Sequence, residues 1–378
     1  MSSEQVNENN GPPMLAVILF LVLKFVILAP KKQSIITTTL SSSMGTSPSP
    51  TTTTTATTTQ QLGSINVGSM NQARQGHTGT LLTNGKMLVT GGGNYVALHS
   101  AELYDPSTGT WTTTGSMKHQ RRGQHTAVLL TNGKVTELYD PSKGTWTSTN
   151  DMHSKRMEHT ASLLTNGKVL VVGGLGSGII LDSAEFAELY DLSTGTWITT
   201  GNMNSQRVKH TASVLTNGKV LVAGGENEED SSPNSSAELY DPSTGNWTTT
   251  DNIDEARYDH TASILRNGKV LVTGGGTFRV FFRSAELYDP LTGTWTTTGS
   301  MNIQRTKHTA SVLTNGKVLV AGGENKNDFL NSAELYDLST GTWITNGSMN
   351  NQQEEHIASV LTNGKVLGTG EWSNVSVV

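Results

Sequence analysis

The chain has 378 residues, with 34% hydrophobic, 6% aromatic and 15% charged types, 40 glycines, no cysteine and a net charge of −5. Abundant glycine with sparse charge speaks against a helical bundle and for short strands joined by many turns. The lack of cysteine excludes disulfide frameworks, thiolate metal sites and cysteine nucleophiles, and the acidic balance argues against a nucleic-acid partner.

Residues 1–13 form a polar tail, and 14–29 is an apolar run broken only by Lys24. As a helix this run would be about 24 Å long, short of a bilayer core of roughly 30 Å unless its flanks snorkel. A single membrane or signal-anchor helix is the expectation. A cleaved signal peptide is the alternative, disfavoured by Glu4, Glu8 and Pro30. Residues 30–60 carry Pro48, Pro50 and the Thr51 to Thr59 tract, a Ser/Thr/Pro stalk too polar to bury a core. Lys31 and Lys32 would hold the large C-terminal region in the cytoplasm, whereas a stalk of this composition suits the outside. A single-pass membrane protein with its large domain outside is the expectation. N-glycosylation sequons start at Asn234, Asn246, Asn346 and Asn374, no more than chance supplies in so Ser/Thr-rich a chain.

Residues 61–378 repeat themselves. The anchors are His77, His125, His159, His210, His260, His308 and His356, spaced by 48, 34, 51, 50, 48 and 48 residues. Such a period marks a propeller or solenoid. The fourth copy shows four strand signals: strand a at 211–215, an Asn217-Gly218 hairpin expected as type I′, strand b at 219–223, and Gly224-Gly225. Strand c follows at 237–241, then a turn at 242–245 and strand d from Trp247.

Gly-Gly after strand b recurs at 91–92, 173–174, 224–225, 274–275 and 322–323. A Trp stands seven residues after the strand c Tyr in Tyr104/Trp111, Tyr139/Trp146, Tyr190/Trp197, Tyr240/Trp247, Tyr288/Trp295 and Tyr336/Trp343. These residues resemble the kelch repeat, which implies an all-β kelch β-propeller. Seven blades are expected, one truncated, with residues near 65–70 supplying the last strand of the final blade and so covering the sheet edges. The second unit, His125 to Trp146, spans 21 residues where other complete units take 34 to 38. Either it is irregular, or about 14 residues are missing against the period.

Seven histidines on seven blades cannot converge on one metal, so they read as structural. The resemblance extends to the propeller of galactose-oxidase-type copper enzymes, which carry a Cys-crosslinked Tyr; with no cysteine that activity is not expected. Asp105 to Trp111 is similar to a sialidase Asp-box but places Asp and Gly one position early, and reads as a turn. No cofactor and no catalysis are expected. Two sets are candidate binding residues. Arg74, Arg122, Arg156, Arg207, Arg257 and Arg305 lie three residues before an anchor His, either as forked donors around a channel mouth or as internal ion pairs with neighbouring blades. Phe186, Phe278, Phe281, Phe282 and Phe329 lie in variable b–c loops on the face shared with the d–a loops. The expected function is non-catalytic recognition of a protein or glycan. The alternative is a carbohydrate-active propeller enzyme, sialidase- or lyase-like, with its catalytic residues unidentified.

Overall fold

The computed structural model describes residues 65–66, 68–93, 96–119, 137–154, 156–176, 187–227, 231–349, 352, 356–369 and 376–377. The apolar run 14–29, the stalk 30–60, Arg122, Phe186 and Asn374 lie outside the described residues. The described residues hold strands and turns only, and no helix among them is long and apolar enough to cross a membrane.

Alternating and continuous apolar runs become antiparallel four-stranded sheets. In the fourth unit, strand a is Thr211–Val214, strand b Val220–Ala223, strand c Ala237–Asp241 and strand d Asn246–Thr249. They pair in chain order, with Val220 opposite Tyr240 and Tyr240 opposite Trp247. The same sheet forms from Thr78 to Thr114, Thr160 to Thr199, Thr261 to Thr298 and Thr309 to Ser348. Strand a of each unit lies beside strand a of the next from the third unit round to the last and on to the first, which makes it the inner strand of a propeller blade.

The expected seven blades are corrected. Five complete blades are built from consecutive strands. A further sheet joins both chain regions, with Ile65–Asn66 pairing with Ser376–Val377 outside Val366–Thr369 and Ile357–Val360. The short second unit contributes only the hairpin Tyr139–Asp140 with Thr145–Trp146 among the described residues. Its length is the physical reason: 21 residues from anchor to Trp cannot supply four strands and three connections.

The a–b hairpin also differs from expectation. The Gly218 N–H donates to the Leu215 carbonyl at 2.9 Å and the Leu215 N–H to the Lys219 carbonyl at 2.8 Å. Only Gly218 has positive φ, at 82°. This is a three-residue connection, a type I turn closed by a left-handed glycine, not the two-residue type I′ form, which needs positive φ at both central residues. Asn217 serves through its side chain, accepting the Lys219 N–H at 3.1 Å.

Strand b is buried on both faces in each complete blade because it lies inside its own sheet and between two others. Val220 and Val222 pack with Leu170 and Val172 of the preceding blade, whereas Leu221 and Ala223 pack with Val270 and Tyr288 of the following one. Alternation along one strand thus divides its side chains between two interblade cores, each buried Val or Leu contributing about 1.5–3 kcal/mol. The Tyr–Trp pairs lie across strands c and d with ring centroids 4.9–5.1 Å apart. In the fourth unit both polar ends reach the preceding blade. The Tyr240 hydroxyl bonds Thr200 Oγ1 at 2.9 Å, and Trp247 Nε1 donates to the Gly201 carbonyl at 2.7 Å.

Candidate recognition face

Two sets of connections define two ends of each blade. The a–b and c–d turns meet at one end, where Lys86, Lys168, Lys219, Lys269 and Lys317 reach Asp105, Asp191, Asp241, Asp289 and Asp337 at 3.0–3.1 Å. Each of these Asp groups begins the c–d turn. Asp241 Oδ1 accepts the Ser243 N–H at 3.0 Å and its hydroxyl at 2.6 Å, which holds the carboxyl down at about 2.

The b–c and d–a connections form the other end and are tied together by backbone. The residue after Gly-Gly bridges the residue two before the anchor His in Gln75–Gly93, Val208–Glu226, Tyr258–Gly276 and Thr306–Glu324. The same residue bridges the far side of its own loop, at Ala97, Pro233, Phe281 and Phe329. The variable loops are therefore anchored at their bases.

Beneath them runs a buried polar circuit. Arg207 Nη1 donates to the carbonyls of Gly224 (3.0 Å) and Ser236 (2.9 Å), while Nη2 donates to Ser236 Oγ (2.9 Å) and Glu238 Oε1 (2.7 Å). Glu238 in turn accepts the Asn204 N–H at 2.7 Å and the Ser205 N–H at 3.1 Å, which fixes the d–a loop. Arg74–Glu102, Arg156–Glu188, Arg257–Glu286 and Arg305–Glu334 repeat the pair at 2.8–3.0 Å with both side chains inaccessible. Burial pulls the Arg207 guanidinium below its ordinary value, and attraction to Glu238 opposes the change.

The anchor histidines join neighbouring blades. His210, His260, His308 and His356 place Nε2 2.9–3.0 Å from the hydroxyls of Thr160, Thr211, Thr261 and Thr309, the first strand a residue of the preceding blade. The last unit has Ile357 there, and His77 instead meets Thr369 Oγ1 at 2.8 Å. Burial, with the charge of the Arg three residues earlier, pushes His210 and His260 down to about 3. Gly-Gly makes room here, its first glycine for the next blade and its second for the d–a connection of its own blade. A Cβ on Gly224 would lie 2.7 Å from both the Arg257 carbonyl oxygen and the next blade's His260 ring. A Cβ on Gly225 would lie 2.5 Å from the Val208 oxygen and 3.0 Å from the same blade's His210 Cβ.

These six Tyr–Trp pairs, the Gly-Gly joints and the blade architecture agree with sequence comparison. A family model described as the KLHDC2/KLHL20/DRC7 Kelch-repeats domain matches residues 209–377, and the Kelch motif model matches 76–118. The chain is a kelch-repeat β-propeller protein. No curated protein matches its sequence. Among solved structures, it is similar to a fungal alcohol oxidase of the AA5 family in complex with copper. The TM-score is 0.68 and the identity 18%, over 83% of this chain and 75% of that one. At that identity the likeness concerns the fold. No three His, Asp or Glu side chains among the described residues could together hold a metal, and the sequence has no cysteine.

The kelch geometry relocates the sequence-derived candidates. Arg74, Arg156, Arg207, Arg257 and Arg305 do not ring a channel mouth as free forked donors; each is buried against the strand c Glu of its own blade. The pairing also differs from the expected link between adjacent blades. Phe282 lies over the Arg257 guanidinium at 5.2 Å and Phe281 is half-buried, so both belong to the scaffold. Phe278 and Phe329 face solvent, Phe278 at 90% exposure. Asn346 is buried and Asn234 is partly so, its Oδ1 accepting the Ser236 N–H; Asn246 is exposed on strand d.

Sequence reasoning missed two features. One is the strand c Glu, visible in each Ala-Glu-Leu-Tyr-Asp but read only as the polar half of an alternation. The other is the residue before the anchor His. Glu158, Lys209, Asp259 and Lys307 have φ of 50–55°, the left-handed region that such residues rarely enter. The Asp259 N–H donates to the Lys209 carbonyl (3.3 Å) and the Lys307 N–H to the Asp259 carbonyl (3.1 Å), chaining these residues from blade to blade. The only hint in sequence was Gly76 at the same place in the first unit, with φ 59°.

Proposed function

We propose that this kelch propeller is a non-catalytic recognition module that binds a protein partner through its b–c and d–a loop face. One observation carries the reading. Of the eight exposed large hydrophobic side chains among the described residues, five stand on that face: Val96, Met157, Phe278, Val280 and Phe329. The other three, Ile198, Leu291 and Ile344, are scattered over strand d and the c–d turn. Phe278 and Val280 tip an ordered hairpin, in which the Thr277 N–H donates to the Val280 carbonyl at 2.8 Å. Apolar side chains held out on a rigid base supply binding energy at low ordering cost.

The likeness of the copies supports binding over catalysis, because a catalytic site must depart from the repeat and the departures lie in the loops. Capture of partners from cell extract by the full-length chain tests the face. Phe278→Ser with Val280→Ser should reduce the captured partner about tenfold or more, while Leu291→Ser, at the other end of the blade, should leave it unchanged. Equal capture by all three proteins would overturn the reading.

A glycan ligand has one observation in its favour. Asn204, Ser205, Gln206, Asn227, Ser232, Pro233, Asn234 and Ser235 line a cleft of about 530 Å³ on the same face. Its lining is polar and uncharged, the chemistry that hydrogen-bonds sugar hydroxyls. Glycosidase treatment of the extract separates the two: capture that survives it belongs to protein.

A further inference from the structure

The chained left-handed residues bring charges together where successive inner strands begin. Lys209 Nζ is paired with Glu226 Oε1 at 2.7 Å and Lys307 Nζ with Glu324 Oε1 at 3.2 Å, each Glu being the residue after Gly-Gly in the same blade. The fifth unit, anchored by His260, has Gly276 at that place, and its own charge is the carboxylate of Asp259. Lys209, Lys307, Glu158 and Glu226 all act on Asp259 electrostatically, yet its side chain receives no hydrogen bond and no salt bridge among the described residues. Each neighbouring lysine is already neutralised within its own blade. Desolvation holds the Asp259 carboxyl up at about 6 despite the two lysines, as expected of a half-buried anion short of compensation.

Asp259 is also joined to the exposed apolar tip through backbone. Tyr258 bridges Gly276, and Gly276 leads directly into the Phe278–Val280 hairpin. Tyr258 further carries the Lys209 ammonium 5.1 Å above its ring. The fifth unit thus offers a carboxylate unpaired among the described residues and, one backbone bridge away, two exposed apolar side chains. We propose that Asp259 receives a cationic side chain, Lys or Arg, of a partner segment whose neighbouring apolar residue packs on Phe278 and Val280. The proposal rests on the loop-face reading and names the chemistry of the partner.

A random peptide library displayed against the full-length chain tests this. Enriched peptides are expected to carry Lys or Arg within a few residues of an apolar side chain. Synthetic copies should bind Asp259→Asn about tenfold more weakly or worse, the size of a lost charge-assisted contact. Asp259→Lys should enrich Asp or Glu in place of Lys or Arg. If peptides lose binding with Phe278→Ser but show no cation and bind Asp259→Asn unchanged, the face stands and this inference is overturned. If the peptides are indifferent to Phe278→Ser and Val280→Ser as well, the face itself falls. Enrichment of no basic peptide also overturns the inference. Asp259→Asn is nearly isosteric and removes a desolvation penalty, so loss of fold does not confound it, and circular dichroism of the variant checks that point.

Discussion

Arg207 and Glu238 show how two residues can each be read as repeated without being read as partners of one another. The Arg recurs three places before the His and the Glu recurs second in strand c, but a one-dimensional period does not say that residues 31 apart meet. The structure buries both completely, and a buried ion pair stripped of one partner costs about 3–5 kcal/mol because the other charge is left uncompensated. Glu238→Gln should therefore destabilise the propeller by about that amount in urea unfolding. Asp241→Asn, which loosens the partly exposed Lys219–Asp241 pair at 3.1 Å, should cost far less because water screens it. Equal effects would show that burial does not distinguish the two pairs. Left-handed Lys and Asp residues were illegible for a different reason: neither type advertises positive φ, and the neighbours that impose it lie in other blades.

The strands themselves were legible because their periodicities are local. Alternation in Ala-Glu-Leu-Tyr-Asp and the continuous apolar run of strand b name their faces without tertiary information. Turn type was less so, since Asn-Gly serves both a two-residue and a three-residue hairpin, and only the hydrogen bonds from Gly218 and Leu215 decide. Glycine pairs after strand b could be read as places of close approach, though not as the socket of the next blade's His. Substituting alanine separates the two kinds of glycine. At Gly225, φ is 94° and the added methyl meets the Val208 oxygen at 2.5 Å, so backbone must move. At Gly218, φ is 82° but the nearest atom is Thr165 Oγ1 at 3.4 Å, which leaves conformational strain alone. Gly218→Ala should cost about 1 kcal/mol and Gly225→Ala about 2 kcal/mol or more. A reversed order in thermal unfolding would refute the close approach of backbone at Gly225.

At the scale of the whole molecule, closure through Ile65–Asn66 was foreshadowed by the strand remnant before the first anchor, whereas the number of complete blades was not, because the second unit breaks the period that the count relied on. Closure also puts histidine joints between successive blades, and these set how stability responds to acid. His210 and His260 are held at about 3, His356 at about 4 and His308 well below its ordinary value, all first by burial and then by nearby charge. An unfolded chain protonates them near 6.5. Between those values the unfolded state binds more protons than the folded one, so stability drops as pH falls from 7 towards 4. Asp259 works in the opposite direction. Its folded value is raised to about 6, so between roughly pH 6 and 4 the folded state takes the proton first and gains stability as pH falls. A tenfold difference in proton affinity between the folded and unfolded states is worth about 1.4 kcal/mol. Four histidines held this far down outweigh a single aspartate held up at about 6. Guanidinium unfolding at about pH 7.5, 6, 5 and 4 should therefore show a monotonic loss of stability. Asp259→Asn should exceed the parent near pH 7.5 by about 1–2 kcal/mol, with the gap closing near pH 4. A flat profile between about pH 7 and 5 would mean that the histidine joints open and hydrate rather than remain neutral in the folded propeller.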